Sequence, residues 1–156
     1  MRTPSRTIID DNVMHRPKVD GLFVYGTLMP SRSRTFQSFT GLQPTTTVAI
    51  LPGYKMYDLG NFPGIVETTE DASVQGELIM LDQYTGQVIA DIFANLNAYE
   101  GFPWLYVLHS VDVTKADGTT ASALVYVYNQ LDPNNNDDAP SEAKFVTEEK
   151  TKIYAW

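Results

Sequence analysis

Residues 82–100, DQYTGQVIADIFANLNAYE, form the one stretch of this chain with a sustained helical period, and that period constrains the fold more than any other feature. Val88, Ile89, Ile92, Phe93, Leu96 and Tyr99 recur at three- and four-residue spacing, which lines one face of an amphipathic helix. Gly101 can take the left-handed conformation that closes a helix and Pro103 prevents continuation, so the helix is predicted to end near Tyr99 or Glu100. Elsewhere the apolar residues come in short β-favouring runs, at 22–25, 45–51, 54–59, 65–66, 74–81, 104–114 and 121–129. Turn signals separate them, among them Pro52-Gly53, residues 60–64 (GNFPG) and Lys115-Ala116-Asp117-Gly118. Strands this short and this tightly connected point to an α+β fold: a small mixed or antiparallel β-barrel with one main amphipathic helix and short peripheral helices.

The flanking segments are less patterned. Residues 1–20 mix charge and proline with scattered apolar positions and read as a flexible N-terminal arm. Residues 31–39 fit a short helix or a loop. Residues 132–138, DPNNNDD, are loop, and 141–156 fit either a short helix capped by Ser141 or an extended tail packed on the barrel through Phe145, Ile153, Tyr154 and Trp156. At 156 residues the chain has the length of one domain, expected over 21–156.

Composition removes several kinds of chemistry. With no cysteine there is neither a disulfide, nor a thiolate metal site, nor a Cys nucleophile. His15 and His109 stand far apart and away from metal-ligand spacing, so no metal and no cofactor are expected. A net charge of -8 argues against non-specific binding to nucleic acid or an anionic membrane, although all five arginines fall within the first 34 residues. No segment is long and apolar enough to span a bilayer or to serve as a secretory signal, so the expected location is cytoplasmic.

Two places carry candidate chemistry. Residues 22–30 read LFVYGTLMP, where an apolar strand breaks at Tyr25-Gly26-Thr27-Leu28; a glycine there permits either a plain turn or a binding loop. Glu100 ends the helix next to Gly101-Phe102-Pro103-Trp104. It is either a solvated helix-end carboxylate or, if the helix dipole and apolar neighbours disfavour its charge, a general base with raised pKa.

In this order and spacing, FVYGTLMP, LPGYKMYDLGNFPGIV, VQGELIML and LNAYEGFPWLY resemble the gamma-glutamylcyclotransferase-like family, which includes the gamma-glutamylamine cyclotransferases. The likeness runs from about residue 22 to 129. It implies a small β-barrel domain that converts a γ-glutamyl amine or peptide to 5-oxoproline and releases the free amine. It also implies a catalytic role for Glu100 and a glutamyl-binding role for Tyr25, Gly26, Thr27, Leu28 and Tyr106. The partner implied is a small molecule; oligomeric state is left open. The chain departs from the family at Leu108, where an arginine is common, and over residues 29–34, MPSRSR, where Arg32 and Arg34 are either solvated charges or ligands for a substrate carboxylate. The alternative reading, on the same fold, is a non-catalytic protein that sequesters a small molecule or contacts a partner.

Overall fold

Because side chains alternate across a strand, each strand of a barrel sends one set of residues inward and the other outward, and here both sets are apolar. The computed structural model describes residues 6–8, 19–59, 62–101, 106–129, 145–147 and 152–156. Its strands are β1 (Arg6–Ile8), β2 (Gly21–Val24), β3 (Thr46–Pro52), β4 (Tyr54–Asp58), β5 (Pro63–Glu67), β6 (Ala72–Met80), β7 (Tyr106–Lys115), β8 (Thr120–Tyr128), β9 (Phe145–Thr147) and β10 (Lys152–Tyr154). Helices α1 (Thr35–Thr40) and α2 (Gly86–Glu100) accompany them, and a 3-10 turn stands at Leu81–Gln83.

Five strands close a barrel in the order β7, β8, β2, β6, β3 and back to β7. Four of these pairings are antiparallel, and β2 with β8 is parallel, so the barrel is mixed and the fold α+β. Closure rests on the short β3–β7 seam, where Ala49 pairs Lys115 and Ile50 pairs Thr114.

The inward set includes Phe23, Leu51, Val74, Leu78, Val113 and Val125, and it fills the barrel. The outward set, including Leu22, Val24, Ile79, Leu108, Leu124 and Tyr126, meets Ile92, Phe93 and Leu96 of α2. Leu108 thus has a structural use: it is fully buried against the helix, in a place where a charge would need a partner. Helix α2 starts where Thr85 accepts a hydrogen bond from the Val88 N–H, and it ends where Gly101 turns left-handed at φ 66°.

Several expectations are refined. Residues 54–67 do not join the barrel ladder; after Gly53, β4 and β5 pair with each other as a separate two-stranded sheet. Within residues 1–20, read as an arm, Arg6–Ile8 pairs antiparallel with β7, continuing the edge that β3 leaves free; His15 lies outside the described residues. The end of the chain takes the extended alternative. Strand β10 runs parallel to β6, and Tyr154 is fully buried in the barrel core; Ser141 lies outside the described residues. Among the described residues no helix is long and apolar enough to cross a membrane.

Candidate active site

Strand β2 ends at Val24, and the next four residues leave the sheet. Met29 N–H donates to the Gly26 carbonyl at 3.0 Å, folding residues 26–29 into a turn at the mouth of the barrel. Gly26 does not have a positive φ, so the expectation that glycine serves backbone freedom here is corrected. Its role is close approach: a Cβ at Gly26 would lie 2.7 Å from Cγ and 3.0 Å from Cδ of Pro63. Among the described residues, the N–H groups of Gly26, Thr27 and Leu28 donate to no protein acceptor. N–H groups without an acceptor among the described residues, in a turn that lines a cavity, are suited to an anion or a developing oxyanion.

The loop is anchored from behind. Glu77 of β6, itself buried, accepts from both the N–H and the hydroxyl of Ser31, and from Thr46 Oγ1. In front, Thr27 Oγ1 lies 3.0 Å from the Tyr99 hydroxyl, which ties the loop to the last turn of α2. The neighbouring arginines do not line the cavity: Arg32 donates to the Trp156 carbonyl oxygen at 2.7 Å, and Arg34 is exposed at the start of α1.

A cavity of about 350 Å³ opens between this loop and the end of α2. All six residues expected at the site line it: Tyr25, Gly26, Thr27, Leu28, Glu100 and Tyr106. Phe23, Val24 and Tyr126 add buried wall, and Phe62, Pro63 and Tyr99 complete the lining. Sequence reasoning missed these last three as site residues. Tyr99 stands on the helical stripe and reads as core, whereas it is 38% exposed at the last turn of α2.

Among the described residues, Glu100 is the only charged side chain in the lining. Among the described residues its carboxylate makes neither a hydrogen bond nor an ion pair. Burial pushes its pKa up from 4.5 to about 8, since a poorly hydrated carboxylate favours its neutral form. Two tyrosines stand close enough for its charge to act on them. Burial first, then the charges of Tyr106 and Glu100, hold the Tyr25 hydroxyl well above a tyrosine's ordinary range. Burial and then Glu100 do the same at Tyr106. Both phenols therefore stay protonated and donate: Tyr25 to the Tyr126 carbonyl at 2.7 Å, Tyr106 to the Pro63 carbonyl at 2.8 Å.

The Tyr106–Pro63 bond holds the wall that Gly26 approaches. Tyr106→Phe should leave the buried Pro63 carbonyl without this donor and cost about 1–3 kcal/mol, read as a lower denaturant midpoint with an unchanged slope. His109 is elsewhere, in β7, with Nδ1 2.6 Å from the Tyr54 hydroxyl. Burial lowers its pKa, against the opposing charge of Glu67, and it does not line the cavity. Among the described residues no group of three or more His, Asp or Glu is placed to hold a metal ion.

Comparison with known proteins agrees with this architecture. Residues 22–146 match the family described as "Gamma-glutamyl cyclotransferase, AIG2-like". A Vibrio cholerae protein described as "Putative gamma-glutamylcyclotransferase" is 30% identical over 112 residues, spanning 70% of this chain and 82% of its own. A solution structure of an Arabidopsis thaliana protein superposes with a TM-score of 0.58 at 25% identity, over 76% of this chain and 68% of that one. A mouse AIG2-like protein shares the fold at a TM-score of 0.54 and 16% identity, covering 75% of this chain and 82% of its own. With most of its length matched, from β2 through the second half of the barrel, the chain belongs to the AIG2-like gamma-glutamyl cyclotransferase family.

Proposed function

We propose that this protein cyclises a γ-glutamyl amine or peptide to 5-oxoproline with release of the free amine, and that Glu100 is the general acid/base. The observation that carries this reading is the Glu100 carboxylate, the only one among the described lining residues and raised by burial to a pKa of about 8, in the same cavity as a loop whose N–H groups donate to no acceptor among the described residues. The substrate holds its own nucleophile. Its α-nitrogen attacks the γ-carbonyl carbon and closes a five-membered ring, so a wall that holds the folded conformer can supply as much as roughly 7–11 kcal/mol of the barrier.

Ionised Glu100 takes a proton from the α-ammonium and frees the lone pair for attack. The carbonyl oxygen becomes an oxyanion, held by the N–H groups of Gly26, Thr27 and Leu28. As the tetrahedral intermediate collapses, the bond from the γ-carbon to the leaving nitrogen breaks. That nitrogen receives the carboxyl's proton, and the ring nitrogen's surplus proton follows by the same carboxylate, giving a neutral lactam and an ammonium product. A general acid/base placed in this way contributes ~10²–10⁴-fold in typical cases. The cavity wall supports the geometry, since Phe23, Tyr25, Tyr106 and Tyr126 exclude water without adding a competing charge.

The direct test is incubation with a panel of γ-glutamyl amines and peptides, with 5-oxoproline as the readout. Binding without any 5-oxoproline would instead favour a sequestering protein. The pH dependence has a definite sign. The base must be ionised to accept a proton, so kcat/KM should rise with pH through a midpoint near pH 8 and then level, as measured in a constant-ionic-strength series. A rate flat from pH 6 to 9 would remove Glu100 as the base.

A further inference from the structure

The cavity changes character from its depth to its mouth. The walls formed by Phe23, Tyr25 and Tyr106 are buried, whereas Phe62 and Tyr99 are 39% and 38% exposed. Tyr99 is held in place from two sides, by its hydroxyl on Thr27 and by the Phe39 ring at a centroid distance of 4.5 Å and a tilt of 57°. Phe62 leans toward Tyr106, with ring centroids 6.5 Å apart. Among the described residues no Lys or Arg lines the cavity. An aromatic mouth with a fixed ring and no cation is a surface for apolar groups.

We infer that Phe62 and Tyr99 form the subsite for the leaving amine, and that the amine released carries an uncharged apolar substituent, alkyl or aryl. This rests on the cyclotransferase reading above. The glutamyl group is assigned to the N–H groups of Gly26, Thr27 and Leu28 and the Glu100 carboxylate, so the substituent on the departing nitrogen extends toward Phe62 and Tyr99, the exposed rings of the same lining. An amino acid or peptide as leaving group would bring a carboxylate there. It would lose water against Phe62 and Tyr99, find no basic partner among the described lining residues, and face Glu100, whose charge has its own sign. A benzyl or alkyl group loses nothing polar and covers the rings.

Three amides test this: γ-glutamylbenzylamide, γ-glutamylglycine and the mono-γ-glutamyl amide of 1,5-diaminopentane, whose leaving groups are apolar, anionic and cationic. Their kcat/KM values are read from 5-oxoproline. The benzylamide should be favoured over both others by ~10-fold or more, the scale on which a hydrophobic pocket discriminates. Phe62→Ala, at an exposed position that folding tolerates, should collapse that ratio to a few-fold by raising KM for the benzylamide, and Phe62→Leu should restore most of it. An equal or higher kcat/KM for the glycine or the diaminopentane amide would overturn the inference while leaving the cyclotransferase reading intact. An unchanged ratio in folded Phe62→Ala would remove Phe62 from the subsite and overturn the inference as stated. No 5-oxoproline from any of the three would overturn the activity and this inference with it.

Discussion

Glu100→Gln should lower turnover by ~10²-fold or more while ligand binding survives, because the amide keeps the size of the carboxylate and cannot accept the substrate's proton. The same substitution has an expected signature in stability. The folded-state pKa of Glu100 lies above its ordinary value, so between 4.5 and about 8 the folded protein holds a proton that the unfolded chain has released. Stability owed to this group is therefore complete below pH 4.5 and falls as pH rises through that window. Glutamine carries no such penalty. Glu100→Gln should melt at a temperature equal to the parent's near pH 5 and above it near pH 9, with activity lost at both. A carboxylate that merely supported the fold would give the reverse, a lower melting temperature and activity in proportion to the folded fraction. Full turnover by a well-folded Glu100→Gln protein would falsify the proposed mechanism.

Gly26→Val should abolish ligand binding. The added Cβ would meet the Pro63 ring at 2.7 Å, and a proline ring on a buried strand has no free end to swing aside. Either the loop or β5 must move, and either movement displaces the N–H groups of Gly26, Thr27 and Leu28 from the wall they share with Glu100. A shift of about 1 Å at a positioning element is enough to cost roughly 10²-fold in rate. The barrel should remain folded, since its closing seam pairs Ala49 and Ile50 with Lys115 and Thr114 and does not include this turn. Gly86→Ala is the matched control, because a Cβ there meets nothing within 4 Å. Circular dichroism with ligand titration separates the cases, and unchanged affinity in Gly26→Val would take the loop out of the site.

Elements whose cause is local are legible in the amino-acid sequence. The stripe from Val88 to Leu96 sets α2, and Gly101 stops it, which is enough to put Glu100 at a helix end. Short β-favouring runs between Gly and Pro set most of the strands, and the motifs quoted from them carry the family likeness. In each case the information lies within a few neighbouring residues, where helical and strand periods are written. Which strands meet depends on long-range packing: the β3–β7 seam joins residues more than sixty apart, β2 lies parallel to β8, and β10 returns to the edge of β6. Long-range packing also decides why residue 26 is glycine. The reason is Pro63, thirty-seven positions away, and not the local dihedral angle. Tyr99 and Ile92 stand on the same helical stripe, yet Ile92 is buried in the core and Tyr99 is part-exposed in the cavity lining, a difference set by what packs around each and not by the helical period. The pKa of Glu100 belongs to the same class. Desolvation depends on every atom packed around the carboxyl, and those atoms come from segments that the chain brings together only by closing the barrel.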